Sequence, residues 1–282
     1  TEKRLAVTVE GTPNELYYAF DFVPTTLSLN ALAQSISTIW RSSTGRTTTY
    51  LRNGQRDWRD DLLFRTVIAN FGSYHSLFTM EEESLFLRKS NGRSSGLDAY
   101  SYNETTKINV FDWFRRIVQI SIRDSIELRL VLTPSHGRYF ETNRLLGDWV
   151  LWEEWKRTLV SIVEEEAGIA GGEPFPFWDF SGFNPLTVEP VPPASESGIK
   201  MKWYFESSHF TTGLGDMIQD RVFGREASGR KVPDYFGVLL TNGNIEDHLA
   251  KIRKDNLKFR EDQPNVADEL SELASKYDVS RN

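Results

Sequence analysis

Two hydrophobic rhythms alternate along this chain of 282 residues. The helical one opens at Ser28, after which Leu29, Leu32, Ala33, Ile36 and Ile39 return every three or four residues. Leu63, Val67 and Phe71 repeat it across 60–74, and a shorter helix is predicted over 80–88. Beyond Ile108 the spacing of Phe111, Phe114, Val118 and Ser121 gives another helix. Leu145, Trp149, Trp152, Trp155, Leu159, Ile162 and Val163 predict one long helix over 143–166, closed by Gly171-Gly172. Compact apolar runs at 5–9, 126–132 and 175–180 read as strands, and 200–205 leads through a loop into a helix over 213–223. The stretches 245–259 and 266–276 carry the pattern of charged amphipathic helices.

Strands alternating with helices predict an α/β fold with a mainly parallel sheet covered by helices on both faces. Three strands fall short of the usual about 4 to 6. The expected architecture is therefore an incomplete three-layer sandwich with a helical C-terminal tail, the rest of the sheet lying upstream of Thr1. The expected division is a partial α/β domain over 1–230, with an inserted loop at 41–59, and a helical extension over 231–282.

Composition acts mainly by exclusion. With 8 Trp, 10 Tyr and 18 Phe, and 26% charged residues, the chain belongs with folded rather than disordered sequences. A net charge of −7 and a pI near 5.3 disfavour nucleic acid or an anionic membrane surface as the main partner, because phosphate binding needs a positive field. Arg41, Arg46, Arg52, Arg56 and Arg59 are a local exception and read as a solvated loop. The absence of cysteine excludes a disulfide, a thiolate nucleophile and a Cys metal site. No apolar run reaches the roughly 18 residues of a spanning helix. No membrane contact is expected from this chain, and any anchor would lie upstream.

In open α/β sheets ligands collect beyond the carboxyl ends of the strands. The polar residues there are Ser135 and His136, Asp179, and the pair Glu206 and His209. Glu206-Ser207-Ser208-His209 sets a carboxylate three residues before an imidazole. A carboxylate so placed can accept a hydrogen bond from one ring nitrogen, fix the tautomer and leave the other nitrogen as a general base. Ser207 and Ser208 lie too close to His209 to be comfortable nucleophiles; the one Gly-x-Ser-x-Gly run, Gly92-Arg93-Ser94-Ser95-Gly96, falls in a polar stretch that reads as loop rather than as a strand-to-helix elbow, and there is no Gly-Asp-Ser run. Plainer roles suit the same residues: Glu206 as a capping carboxylate, His209 as a packed loop histidine, His136 as the organiser of its own loop. His136, Asp179, Glu206 and His209 together would also suit metal-assisted hydrolysis. Trp149, Trp152 and Trp155 read as core rather than as a sugar-stacking platform, and His75 and His248 show no partner.

The run from Thr133-Pro134-Ser135-His136 through Trp178-Asp179-Phe180-Ser181-Gly182 to Met201-Lys202-Trp203-Tyr204-Phe205-Glu206-Ser207-Ser208-His209-Phe210 resembles the C-terminal half of the SGNH (GDSL-like) hydrolase superfamily. It looks closest to bacterial members associated with cell-surface polysaccharide. In that superfamily an Asp-x-x-His block supplies the acid and base of a serine triad. Carried over, Glu206 stands for the Asp and orients His209, His209 is the base, and Ser135, His136 and Asp179 are expected to contact substrate, with no cofactor. Ser-His-Glu triads show that Glu is tolerated there. The serine block and the Gly and Asn blocks of the oxyanion hole are not recognisable, and the resemblance places them before Thr1. It implies a serine esterase or O-acyltransferase acting on an ester or acylated glycan, placed in the periplasm or at the cell surface, with this chain alone lacking turnover. The rival expectation is a non-catalytic glycan- or protein-binding module of the same fold.

Overall fold

The computed structural model describes residues 28–43, 60–91, 102–103, 108–225 and 229–278. The strand expected at 5–9, residues 44–59 of the arginine-rich loop and the polar segment 92–101 lie outside the described residues. The chain divides into two units, Thr1–Trp58 and Arg59–Asn282. In the first, α1 (Leu29–Ser43) carries the predicted stripe, and Ser28 Oγ accepts the Ala31 N–H at 3.1 Å to start it.

The second unit runs α2 (Asp60–Phe71), α3 (Tyr74–Ser90), β1 (Tyr102–Asn103), β2 (Ile108–Asn109), α4 (Val110–Arg123), β3 (Leu130–Leu132), α5 (Gly137–Leu145), α6 (Trp149–Ala170), β4 (Phe177–Asp179), α7 (Thr212–Phe223), β5 (Val238–Leu239), α8 (Ile245–Asp262) and α9 (Pro264–Lys276). Polar caps set several starts: Ser73 accepts from Ser76 N–H at 3.0 Å, Asn109 from Phe111 N–H at 2.9 Å, and His136 from Arg138 N–H at 3.2 Å.

The fold is mixed α/β and rich in helix, around a small mixed sheet in the order β3-β4-β5. β3 and β4 run parallel, with Leu130 opposite Phe177 and Leu132 opposite Asp179, whereas β5 is antiparallel to β4. Alternate side chains feed two cores. Leu130, Leu132 and Phe177 join Val118, Leu159, Val163 and Leu249 on one side. Val131, Trp178 and Phe180 join Phe78, Tyr204, Leu214 and Met217 on the other. Residues after 230 enter the same interior: Val232 and Phe236 pack in the second of these cores, Ile245 and Leu249 in the first.

Several elements differ from their sequence pattern. The single helix predicted over 143–166 is two, α5 and α6, broken at Gly147, whose φ of +82° lies in the left-handed region that favours glycine. Of the strand expected at 126–132 only Leu130–Leu132 joins the ladder, because only these residues lie opposite β4. The segment 200–205, which leads into the loop before α7, pairs back on that loop through one antiparallel bridge between Tyr204 and Phe210. β5 lies in the apolar run Tyr235-Phe236-Gly237-Val238-Leu239-Leu240, which the strand pattern above leaves out, and it depends on a close approach. Gly237 (φ +92°) lets the backbone pass the Phe180 ring, which an added Cβ would meet at 2.5 Å.

One buried ion network fixes the helices that frame the site. Arg138 on α5 donates to both Glu82 carboxylate oxygens at 2.7 Å and to Glu269 at 3.0 and 3.1 Å, clamping α3 and α9 to α5. A bidentate guanidinium geometry satisfies a charge pair whose desolvation would otherwise be costly. Among the described residues no helix is long and apolar enough to cross a membrane.

Candidate functional site

The Glu206–His209 segment is the tip of a tight loop. Phe205 N–H donates to the His209 carbonyl at 2.9 Å, and Thr211 N–H donates to the Trp203 carbonyl at 2.8 Å. Ser207, at its centre, is held from two directions. Its carbonyl accepts the His136 N–H at 2.8 Å, while its hydroxyl and N–H donate to Glu81 on α3 at 2.7 and 3.2 Å. Tyr204 OH donates to the Pro134 carbonyl at 3.2 Å, which ties the loop to the exit of β3.

Within that frame His209 Nδ1 hydrogen-bonds Glu206 Oε1, as the spacing predicts. The Ser208 N–H and hydroxyl also donate to Glu206, at 3.1 and 3.0 Å. The imidazole is 79% exposed and Glu206 only 13%, so the carboxylate is sheltered while the ring stands in solvent. The Nε2 atom makes no hydrogen bond among the described residues. Ser208 Oγ lies 3.2 Å from Nδ1, the nitrogen already engaged by Glu206. It is therefore on the wrong side of the ring to be activated.

A residue absent from the sequence reasoning completes this cluster. The Glu81 carboxyl hydrogen-bonds Glu206, and burial, followed by that contact and the Glu206 charge, pushes it up to about 8. Burial pushes Glu206 upward too, but the hydrogen bond from Glu81, the Ser208 N–H and the neighbouring His209 outweigh it and the net shift is downward. Two touching carboxyls cannot both ionise cheaply. At neutral pH Glu81 holds the proton and donates, and Glu206 carries the charge that faces His209.

The structure sends His136 and Asp179 elsewhere. His136 is buried, its Nδ1 accepting the Arg138 N–H and its Nε2 donating to the Glu189 carbonyl at 2.7 Å. Edge contacts to Phe78 and Tyr204 surround it, and burial lowers it to about 4, so it is a neutral cap for α5. Asp179 is buried at the end of β4, where its carboxylate accepts from Lys156 Nζ (2.5 Å), His248 Nε2 (2.9 Å), and the N–H and hydroxyl of Ser181 (2.8 and 2.6 Å). Burial opposes its ionisation, but Lys156 and His248 prevail and hold it well below the usual carboxylate range. His136, Asp179, Glu206 and His209 do not converge, and both His136 nitrogens are spent, so the four-residue metal site raised from the sequence does not form. Among the described residues no group of three or more potential ligands is placed to hold a metal ion.

The sequence marks Lys156 and His248 only faintly. Lys156 lies four residues after Trp152 on the apolar face of α6, a lysine inside a core stripe, which was the available signal. His248 sits on a charged helix, and nothing local points it at Asp179. Ser135 is separate again, on the rim of a cavity between α5 and α6. Comparison with protein-family models, with curated proteins and with solved structures gives no match to this chain.

Proposed function

We propose that the chain handles acyl esters, as an esterase or O-acyltransferase of the SGNH (GDSL-like) type. In this reading the helices on both sides of the small sheet belong to a three-layer, mainly parallel sandwich. The observation that carries the proposal is the Glu206–His209 pair, with Nδ1 on the sheltered carboxylate and Nε2 in solvent. That orientation suits a general base. The nucleophile is a serine carried on chain preceding Thr1.

His209 Nε2 takes the serine proton as Oγ attacks the ester carbonyl carbon. Glu206 stabilises the imidazolium that forms, and backbone N–H groups hold the oxyanion. His209 then protonates the departing alkoxide as the C–O bond breaks. Water, or a glycan hydroxyl, removes the acyl group by the same proton route in reverse. Glu81, neutral beside Glu206, donates to the carboxylate without competing for the imidazolium. Polysaccharide as the natural acceptor rests on the resemblance alone.

The test is p-nitrophenyl acetate hydrolysis by the chain extended upstream of Thr1, wild type against His209→Ala. A fall of about a hundredfold or more in kcat/KM supports the reading. Equal rates, or no activity in a folded wild-type protein, overturn it. A binding module without turnover is the second reading, favoured by the absence of a nucleophile beside Nε2 among the described residues.

A further inference from the structure

The carboxyl end of β3 opens into a cavity of about 290 Å³ between α5 and α6. No residue of the Glu206–His209 loop lines it. The walls are aromatic: Tyr139 and Phe140 from α5, Trp152 and Trp155 from α6. Thr133, Ser135 and Asn143 also line it. Among the described residues none of these three side chains has a hydrogen-bond partner, and with Thr133 exposed and Ser135 and Asn143 half-buried their polar groups are accessible to a ligand.

The floor settles the charge of the ligand. Lys156 lines the cavity, yet its ammonium is already shared among Asp179 Oδ2 at 2.5 Å, Ser181 Oγ at 2.6 Å and the Trp152 ring face, 3.7 Å from the centroid. Its charge is balanced by a buried carboxylate, so the cavity offers no net field to an anion. The volume lies at the lower end of small-molecule sites, which run about 300–1,000 Å³. That volume suits a single ring.

We propose that this crevice binds a single neutral pyranose ring. The apolar face of such a ring stacks on indole, and its hydroxyls can both give and accept hydrogen bonds. Ser135 and Thr133 supply hydroxyl partners from the end of β3, and Asn143 an amide from α5. The rim is connected to the acid-base loop: the residue after Ser135 donates its N–H to the Ser207 carbonyl. The inference stands on the cavity's own lining and holds whether or not His209 acts as a base.

The test is a titration of the full chain with a panel of methyl pyranosides, followed by tryptophan fluorescence and ligand-observed NMR. A one-ring ligand gives dissociation constants of roughly millimolar size. Trp155→Ala should weaken binding about tenfold, and Asn143→Ala, a milder change on the rim, about fivefold. His209→Ala should leave binding unchanged, so loss of turnover and loss of ring binding separate. Saturable binding reduced by both cavity variants supports the proposal. It is overturned if no pyranoside saturates, if Asn143→Ala binds as wild type, or if acetate or phenol binds more tightly than every pyranoside.

Discussion

Lys156→Met isolates a buried charge. Both Lys156 and Asp179 have side chains at 0% exposure, and removing the ammonium leaves the carboxylate with only His248 and the N–H and hydroxyl of Ser181. Breaking a buried pair by deleting one partner costs about 3–5 kcal/mol, because the remaining charge stays desolvated. In a unit of this size each kcal/mol moves Tm by about 2–4 °C, so a fall of about 6–20 °C is expected by circular dichroism. Asp179→Asn in the same molecule removes the stranded charge and should return at least half of the loss. The pH dependence has a defined sign. In the wild type the Asp179 value is depressed, so its contribution is present above the unfolded value of about 3.9 and is lost as pH falls below it. Without Lys156 the desolvated carboxyl titrates above that value, so the deficit of Lys156→Met is largest at neutral pH and shrinks toward pH 4. Single-variant stability within about 0.5 kcal/mol of wild type, or losses that simply add in the double variant, would refute the buried-pair reasoning.

Gly237→Ala should destabilise the fold by about 1–3 kcal/mol for the backbone strain alone, seen as a lower urea midpoint at unchanged slope, because φ is +92° and the new Cβ meets the Phe180 ring at 2.5 Å. An unchanged midpoint would show that β5 does not depend on this approach. Glu81→Gln tests the carboxyl pair: the raised Glu81 contributes stability that is fully present below about 4.5 and is lost as pH rises through about 8. Glutamine keeps the donor and cannot ionise, so the stability of the wild type relative to the variant should fall between pH 5 and 8, a difference in which the opposite trend from the depressed His136 cancels. Parallel curves would count against the shared proton.

The sequence by itself determined what short-range physics decides. Helical spacing placed α2, α4 and the two terminal helices, because an apolar stripe every three or four residues has few other solutions. It also found the Glu206–His209 pair, since a carboxylate and an imidazole three residues apart in one tight loop meet without help from the rest of the chain. Its failures are of the opposite kind. The long helix broke at Gly147, because one left-handed residue outweighs a stripe that continues through it. β5 escaped the strand pattern although Tyr235-Phe236-Gly237-Val238-Leu239-Leu240 is apolar, since Gly237 interrupts the run and only the pairing with β4 decides that two of its residues form a strand. The partners that tune the chemistry came from far along the chain: Glu81 lies 126 positions before Ser207, and His248 lies 69 beyond Asp179. Hydrophobic periodicity says which face of an element turns inward and nothing about which distant element it meets. Only the packing of α3 against the loop and of α6 and α8 against the end of β4 decided which carboxyl shares a proton and which carries a buried lysine.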